Sequence, residues 1–461
     1  MDSSIKILFS ILAFTYLYGQ TVYEQTLYEN GQEIDTFAYQ LPENFDSNNT
    51  YPLLIAFHQW GGNHMSTFST TFDEEANLRN WIFVSPFGGS SNNYNHQEAQ
   101  YMVKRTIQWL MDNYNIDKNR IYAVGGSMGG ASGMIYANNH LNPNEPMIAA
   151  TASASGILDC ERRAIEMDGN NSMTEWFGGN YDEVPFEYHR NSAIYFADST
   201  QSMHYNLKNT PLYFDFGVTE THRTHAEEMY QLMNGYNDNM WIDQNPTGSH
   251  GFSVFDENHV CDWLSQFELV DNPDTINVNL DESSRAYWIE INNDNQIENE
   301  FMKIIASRES YEDSLIINIE VAQNVAYNTM TLHVMDSLYD YINLYYEGVS
   351  SYEYNTIGLT GDLINYVSHI SVNGCDFCIS MEDDIIWVGI SAENNLLTIF
   401  YPNDINDDGN WDVLDILLTI NFIMGQINPT PNQSFLADIN QDGLIDVLDI
   451  INMVNLILNQ S

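Results

Sequence analysis

The chain has 461 residues, more than one domain's worth, and 44% of them are hydrophobic, so there is material for packed cores and wholesale disorder is excluded. Acidic residues number 64 against 14 basic ones, a formal charge of -50. A surface of that sign repels nucleic acid and anionic lipid and favours cations and solubility, so neither nucleic acid nor membrane is expected as a partner.

The first twenty residues, MDSSIKILFSILAFTYLYGQ, carry one lysine, then an apolar run of roughly a dozen residues, then small and polar positions near Gly19 and Gln20. This is the pattern of a secretory signal peptide, too short to span a bilayer, and no later stretch approaches transmembrane length. The mature chain is therefore expected to be secreted, where disulfides are permitted.

From 21 to 270, strand-like and helix-like stretches alternate. YPLLIAFH (51–58) and WIFVSPF (81–87) are short apolar runs suited to buried parallel strands. HQEAQYMVKRTIQWLMDNY (96–114) has helical periodicity, with Met102, Ile107, Leu110 and Met111 near one face. A strand RIYAVGG, a helix MGGASGMIYANN, strands MIAATASAS and TPLYFDFG, and a helix THAEEMYQLMNGY follow. The alternation predicts a doubly wound α/β sheet. Residues 157–205, with TEWFGGNYDEVPFEYH, interrupt it as a lid-like insertion. There Trp176 and Phe177 either flank a substrate or form the insertion's own core.

From 271 to 400, short β-prone runs such as SLIINIEVA and YINLYYEGV are separated by Asn, Asp, Ser and Gly, which predicts a β-rich, sandwich-like accessory module. Its tyrosines (339, 341, 345, 346, 352, 354) suit either sugar stacking or ordinary strand packing. Four cysteines allow three pairings. Cys160 with Cys261, and Cys375 with Cys378, is the expected set, because each pair falls within one predicted domain.

From 401 to 461 the chain repeats itself: DINDDGNWDVLDILLTINFIM at Asp404 and DINQDGLIDVLDIINMVNLIL at Asp438 share 12 of 21 positions. Each copy opens with oxygen-bearing side chains at loop positions 1, 3 and 5, glycine at 6 and a carboxylate at 12. A hard cation needs six to eight oxygens, and the glycine gives the turn that wraps a loop around it. The expected calcium ligands are Asp404, Asn406, Asp408, the Asn410 carbonyl and Asp415, then Asp438, Asn440, Asp442, the Leu444 carbonyl and Asp449. Asp412 and Asp446 would stand at position 9, and two structural Ca2+ ions follow from two loops. With Asp at 12 and each loop leading into an apolar helix, residues 402–459 resemble a type I dockerin. That resemblance implies a cohesin or cell-surface partner. Val413, Leu414, Val447 and Leu448 stand where dockerins often carry small hydroxyl residues.

GGSMG (125–129) fits G-x-S-x-G between a predicted strand and helix, the context in which serine becomes an exposed nucleophile on a sharp turn. The glycine spacing satisfies neither the dinucleotide-binding fingerprint nor a P-loop. Ser127 needs a base, and the base an orienting acid, in the chain order serine, acid, histidine. His250, in PTGSHGFSVF after the last core strand, is the expected base, with His259 the alternative inside the next helix. Glu220, three residues past the end of LYFDFG, is the expected acid, with Asp215, Glu227 and Glu228 as alternatives. Backbone N–H groups of Met128 and of Trp60, in the turn HQWGG, are the expected oxyanion donors. No cofactor is expected in catalysis.

Together these pieces resemble the α/β-hydrolase superfamily over residues 21–268, in particular secreted esterases such as feruloyl and acetylxylan esterases and polyester depolymerases. HQWGG corresponds to that branch's His-Gly-aromatic motif, with Gln59 for glycine. FGVTE matches its His-Gly-x-x-Asp motif, with Phe216 for His and Glu220 for Asp, and GSHGF matches its Gly-His-Gly-Phe loop. The resemblance implies a serine esterase working through an acyl-enzyme on polysaccharide-linked or other polymeric esters. A prolyl-oligopeptidase-like peptidase and a non-catalytic surface-binding protein are the alternatives.

Overall fold

The computed structural model describes residues 20–461 apart from 169–171, 246, 293–298, 312–313, 338, 340, 348–354, 365–366, 368, 374–378, 383, 392–393, 401–404, 407–411, 440–442 and 460–461; before residue 20 it describes 12–14. Apart from those residues the expected signal peptide lies outside the described residues, as do Tyr352, Tyr354 and the Cys375–Cys378 pair. The chain divides into two compact units, one holding residues 1–273 with 277–282 and 297–302, the other 274–276, 283–296 and 303–461.

Among its described residues the first unit is built on nine strands: β1 (Leu12–Phe14), β2 (Val22–Glu29), β3 (Gln32–Gln40), β4 (Tyr51–Phe57), β5 (Ile82–Pro86), β6 (Ile116–Gly126), β7 (Ala150–Ala154), β8 (Leu212–Asp215) and β9 (Met240–Ile242). Their order in the sheet is β1-β2-β3-β5-β4-β6-β7-β8-β9. From β5 to β9 all neighbours are parallel, whereas β3 meets β5 antiparallel. β4 shows why this sheet is double-sided. Every one of its residues is buried, and its side chains alternate between two apolar clusters. Leu53, Ile55 and Phe57 join a cluster with residues of α2 (Gln97–Asn113), α3 (Met128–Asn139) and α7 (Arg223–Met233). Leu54 and Ala56 join another with α1 (Phe72–Leu78) and α8 (Glu257–Leu264). Strand alternation of period two feeding helices on both faces is the physical basis of the doubly wound layer.

Among its described residues the insertion forms the short α-helices α4 (Cys160–Glu166), α5 (Met173–Phe177) and α6 (Pro185–Arg190). Asp159 caps α4 by accepting the Arg162 N–H at 2.8 Å. Phe177, 4% exposed, packs edge-on against Tyr188 inside the insertion's own cluster, which also takes in Tyr94 and Met128. The expected Cys160–Cys261 disulfide is absent: both are buried free thiols. Cys160 sits in the insertion cluster, its Sγ donating to the Asn191 carbonyl, while Cys261 is packed on α8 in the cluster against the sheet. Two separate apolar clusters hold them, and burial pushes the Cys160 thiol up to about 12.

β10 (Thr275–Leu280) contributes residues to both units. The second unit continues with β11 (Arg285–Ala286), β12 (Ile289–Ile291), β13 (Met302–Ser310), β14 (Ser314–Gln323), β15 (Met330–His333), β16 (Tyr341–Tyr346), β17 (Asn355–Thr360), β18 (His369–Val372), β19 (Ile379–Glu382), β20 (Ile385–Ile390) and β21 (Asn395–Phe400). These form one sheet running β13-β14-β16-β21-β18 and another running β11-β12-β15-β17-β20-β19. Each has one buried face: Leu315, Ile317 and Ile319 alternate inward on β14, as do Ile386, Val388 and Ile390 on β20. Tyr346 is buried there, while Tyr341 and Tyr345 are exposed. Among the described residues the tail has three helices, α9 (Val413–Ile423), α10 (Pro431–Ala437) and α11 (Val447–Asn459), around Ile405, Phe422, Ala437 and Met453.

Candidate active site

β6 ends in two glycines and α3 begins at Met128, leaving Ser127 alone between them with φ 54° and ψ -117°. A non-glycine residue at positive φ is strained and persists only where its surroundings force it. Here they do. A Cβ on Gly125 would come within 2.0 Å of the Gly129 carbonyl, and one on Gly129 within 2.3 Å of the Phe57 carbonyl. The glycines thus let α3 start hard against the ends of β6 and β4. The Ser127 N–H donates to the Ala154 carbonyl at 2.8 Å, and its carbonyl accepts from Ile157 N–H at 3.2 Å, so the strained turn is tied to the next strand.

Ser127 Oγ lies 2.8 Å from His250 Nε2, and His250 Nδ1 lies 2.7 Å from Glu220 Oε2. Three loops bring these together, from the C-terminal ends of β6, β8 and β9, as expected of an open parallel sheet. The His250 loop is itself built. Asn245 Oδ1 accepts from Thr247 and Gly248 N–H, and its amide donates to the Val254 carbonyl. Gly251 follows at φ +62°, and a Cβ there would meet the Gln59 amide at 2.3 Å.

The Glu220 side chain is only 5% exposed and is held through its second oxygen. Oε1 accepts from Ser155 Oγ at 2.6 Å and from Gly217 N–H at 3.1 Å. Ser155 Oγ in turn accepts from Gly251 N–H at 3.1 Å, so one hydroxyl joins the acid to the histidine loop. The sequence reading missed Ser155. The signal available was its place just beyond β7, the strand paired with the nucleophile's strand, but a serine between alanine and glycine announces no chemistry.

The alternatives lie elsewhere. Asp215 is buried and accepts from Phe216 N–H at 2.7 Å, and burial raises its carboxyl to about 7. Glu228 pairs with Arg162 at 2.9 Å, Glu227 stands 3.9 Å from Arg223, and His259 packs against Tyr213 and Trp241. A second histidine that the sequence did not single out, His222, packs its ring on His250 with centroids 5.5 Å apart. Burial holds His222 below its ordinary value.

Beside the serine, Met128 N–H is the first of α3 and has no helical acceptor. Trp60 sits in the turn closed by Gly62 N–H to the Gln59 carbonyl at 2.9 Å. His58, buried beneath, faces the Gln59 and Phe87 carbonyls with its two ring nitrogens, each at 2.9 Å, which fixes that turn. Among the described residues the Trp60 backbone N–H donates to no protein group, whereas its indole N–H donates to Ser172 Oγ at 3.2 Å. Trp176, placed in the insertion, stacks on His96 at 4.5 Å.

In the tail, Asp404, Asp408, Asn410, Asn440 and Asp442 lie outside the described residues. The candidates within the described residues are Asn406, Asp415, Asp438, Leu444 and Asp449. Asp415 and Asp449 are fully buried and accept backbone N–H groups in matching fashion: Asp415 from Ile405, Asn406 and Asp412, Asp449 from Ile439 and Asp446. Asp438 Oδ2 accepts from Gly443, whose φ of +84° supplies the sharp turn at position 6. Asn406 follows Ile405, and Leu444 comes directly after Gly443.

A serine bonded to a histidine bonded to a buried carboxylate, at the carboxyl edge of a doubly wound sheet, is the constellation of a serine hydrolase on the α/β-hydrolase fold. The family comparison agrees. The model of the esterase family ("Putative esterase") matches residues 31–267, a little over half of the chain, and the chain belongs to that family as a serine esterase. A Dockerin type I domain matches residues 402–458; such modules bind calcium and imply a cohesin partner. Among solved structures, an S-formylglutathione hydrolase from Agrobacterium tumefaciens is 14% identical, covering 56% of this chain and 99% of its own, with a TM-score of 0.41. An acetyl xylan esterase from Paenibacillus sp. R4 is 13% identical, with coverage of 56% and 88% and a TM-score of 0.41. A feruloyl esterase module from Clostridium thermocellum is 13% identical, with coverage of 53% and 87% and a TM-score of 0.38. No curated protein matches the chain. Among the described residues no helix is long and apolar enough to cross a membrane.

Proposed function

We propose that the chain is a secreted carboxylic-ester hydrolase in which Ser127 is the nucleophile, His250 the general base and acid, and Glu220 the orienting carboxylate. The observation that carries this reading is the unbroken chain of hydrogen bonds from Ser127 through His250 to Glu220, at 2.8 and 2.7 Å, with the serine on a strained turn. Ser127 Oγ attacks the ester carbonyl carbon as its proton passes to His250 Nε2. The oxyanion is held by the N–H groups of Trp60 and Met128. Collapse breaks the bond to the alcohol oxygen, which takes the proton back from Nε2 and leaves an acyl-serine. Water, deprotonated by the same nitrogen, then attacks the acyl carbon; the serine leaves with the proton and the acid is released.

The substrate class is a polysaccharide-linked acyl group, feruloyl or acetyl, or another polymeric ester. Support comes from the motif resemblance and from a tail that would carry the enzyme onto a cohesin-bearing scaffold or surface. Two structural calcium ions would be held by the two loops, and export rests on the leader-like N-terminus together with the dockerin. The test is hydrolysis of p-nitrophenyl esters, methyl ferulate and acetylated xylan by wild type and Ser127→Ala. Loss of several orders of magnitude in the variant is expected. Turnover that survives in Ser127→Ala, or none in either protein, would overturn the reading.

A further inference from the structure

The His250 loop meets its neighbours closely at three places. Gly217, in the loop that carries the acid, lies so near it that a Cβ there would fall 2.4 Å from the Gly248 carbonyl. Gly126, at the end of β6, does the same: a Cβ there would stand 2.7 Å from the Phe252 nitrogen. Both are contacts of backbone with backbone. The third is made by a side chain. A Cβ on Gly251 would meet Gln59 Nε2 at 2.3 Å, Cδ at 2.7 Å and Oε1 at 2.9 Å, so the whole carboxamide lies over that glycine. The backbone that carries Gln59 is held firmly. Its carbonyl accepts from Gly62 N–H and faces His58 Nδ1, each at 2.9 Å, and Gly61 N–H donates to the Ser91 carbonyl at 2.6 Å. The Gln59 side chain thus reaches the histidine loop from a fixed base.

We infer that Gln59 is a positioning residue, whose packing on Gly251 holds the oxyanion turn and the histidine loop at a fixed spacing. The inference rests on the roles proposed above for Trp60 and His250. Gln59 immediately precedes Trp60, and Gly251 immediately follows His250. One contact therefore joins the residue before the oxyanion donor to the residue after the base. As Ser127 attacks, negative charge develops at the oxyanion and positive charge on the imidazole, and these are the two places where it appears. Stabilisation of such charge depends on groups already in place. A misplacement of about 1 Å can cost roughly a hundredfold in rate.

The other supports of His250 do not supply this link. Glu220 holds its ring at Nδ1, and Ser155 Oγ accepts from Gly251 N–H at 3.1 Å, but both belong to the acid's side of the site. The oxyanion turn is tied to β5's end through His58 and the Phe87 carbonyl, and to the insertion through the Trp60 indole and Ser172. Gln59 joins the two systems. The demand it meets is one of length and volume: the side chain must extend from the turn and fill the space over a residue that has no Cβ. Methionine, unbranched and of similar length, meets that demand, and alanine does not. A methyl group on Gly251 would compete with the carboxamide for the same space.

The experiment measures kcat and KM for p-nitrophenyl acetate in wild type, Gln59→Ala, Gln59→Met, Gly251→Ala and the double variant Gln59→Ala/Gly251→Ala. Gln59→Ala should lower kcat about tenfold and leave KM within about twofold, with Tm unchanged. Gln59→Met should stay within about threefold of wild type. Gly251→Ala displaces the carboxamide from the other side and should lose roughly thirtyfold, part of it from the strain of alanine at φ +62°. In the double variant the new methyl takes the space the amide left. Its kcat should therefore match that of Gly251→Ala within about threefold, whereas independent losses would multiply. Should Gly251→Ala fail to fold, the two Gln59 variants decide. Hydrogen exchange of residues 248–255, followed by mass spectrometry, reads the contact without turnover. The segment should open at least about fivefold faster in Gln59→Ala than in wild type or Gln59→Met. If no ester is turned over, or turnover survives Ser127→Ala, the esterase reading falls and exchange alone decides this contact. A Gln59→Ala kcat within twofold of wild type, losses that multiply in the double variant, Gln59→Met no better than Gln59→Ala, or exchange indifferent to Gln59→Ala would overturn the proposal.

Discussion

Replacing Ser155 with alanine should cripple the site without touching the three residues proposed to do the chemistry. Its hydroxyl donates to Glu220 Oε1 at 2.6 Å and accepts from Gly251 N–H at 3.1 Å. Without it, Oε1 keeps only the Gly217 N–H, at 3.1 Å, and the N–H beside His250 is stranded in a buried place. A hydrogen bond to a charged group contributes about 1.5–3 kcal/mol. At about 1.4 kcal/mol per factor of ten, kcat/KM should fall roughly ten- to a hundredfold. This lies well below the roughly ten-thousandfold cost of disabling a triad acid itself.

The assay is kcat/KM for a soluble ester across pH. A carboxylate that loses a donor becomes more basic and holds the imidazolium more tightly, so the acidic limb of the profile should move to higher pH. A purely structural role would not shift that limb. Ser155→Gly separates the effects further. Ser155 has φ 52°, a conformation glycine adopts freely. Ser155→Gly should therefore be at least as stable as Ser155→Ala while losing activity by the same factor. Activity within twofold of wild type in both variants, with the acidic limb unmoved, would refute the reasoning.

Two further outcomes follow from buried carboxylates. Asp215, raised to about 7 by burial, is protonated in the folded chain where the unfolded chain has already ionised; the stability it contributes is complete below about pH 4 and is lost as pH rises through 7. The gap in Tm between Asp215→Asn and wild type should therefore move in the variant's favour from pH 5 to pH 8 in thermal melts, and a pH-independent gap would count against it. In the tail, calorimetric titration of calcium-stripped protein should give two equivalents, with Asp415→Ala and Asp449→Ala each retaining one. Hydrolysis of a soluble ester should not change on chelation. A single equivalent in wild type would sink the two-ion reading.

What was legible in the sequence were features written in local pattern. Apolar runs such as YPLLIAF and the glycines around Ser127 need no distant partner to be read, because strand burial and a sharp turn are set within a few residues. His250 and Glu220 were reachable because each follows a strand end, where an α/β sheet delivers its functional loops. The paired Asp415 and Asp449 were legible through duplication. The disulfide expectation failed for a reason of the same kind: two cysteines assigned to one domain say nothing of which cluster each joins. Cys160 packs among the insertion's helices and Cys261 against the sheet.

The contacts of Ser155 and His222 were illegible because they exist only between elements. Ser155 meets Glu220 across 65 positions and Gly251 across 96, distances over which spacing carries no information. Yet the two serines on the paired strand ends share one property that sequence does not display. Ser127 and Ser155 both stand at positive φ, 54° and 52°, at the ends of β6 and β7. The first carries the proposed nucleophile, and the hydroxyl of the second donates to Glu220 Oε1 at 2.6 Å. The strain at each costs on the order of 1–3 kcal/mol, which the buried sheet on either side can absorb. Neighbouring strand ends in a parallel sheet lie one strand spacing apart, about 5 Å. β6 and β7 are paired up to Gly126 and Ala154, so Ser127 and Ser155 leave the sheet from neighbouring positions, and the support of the acid is set by the same strand pairing that presents the serine.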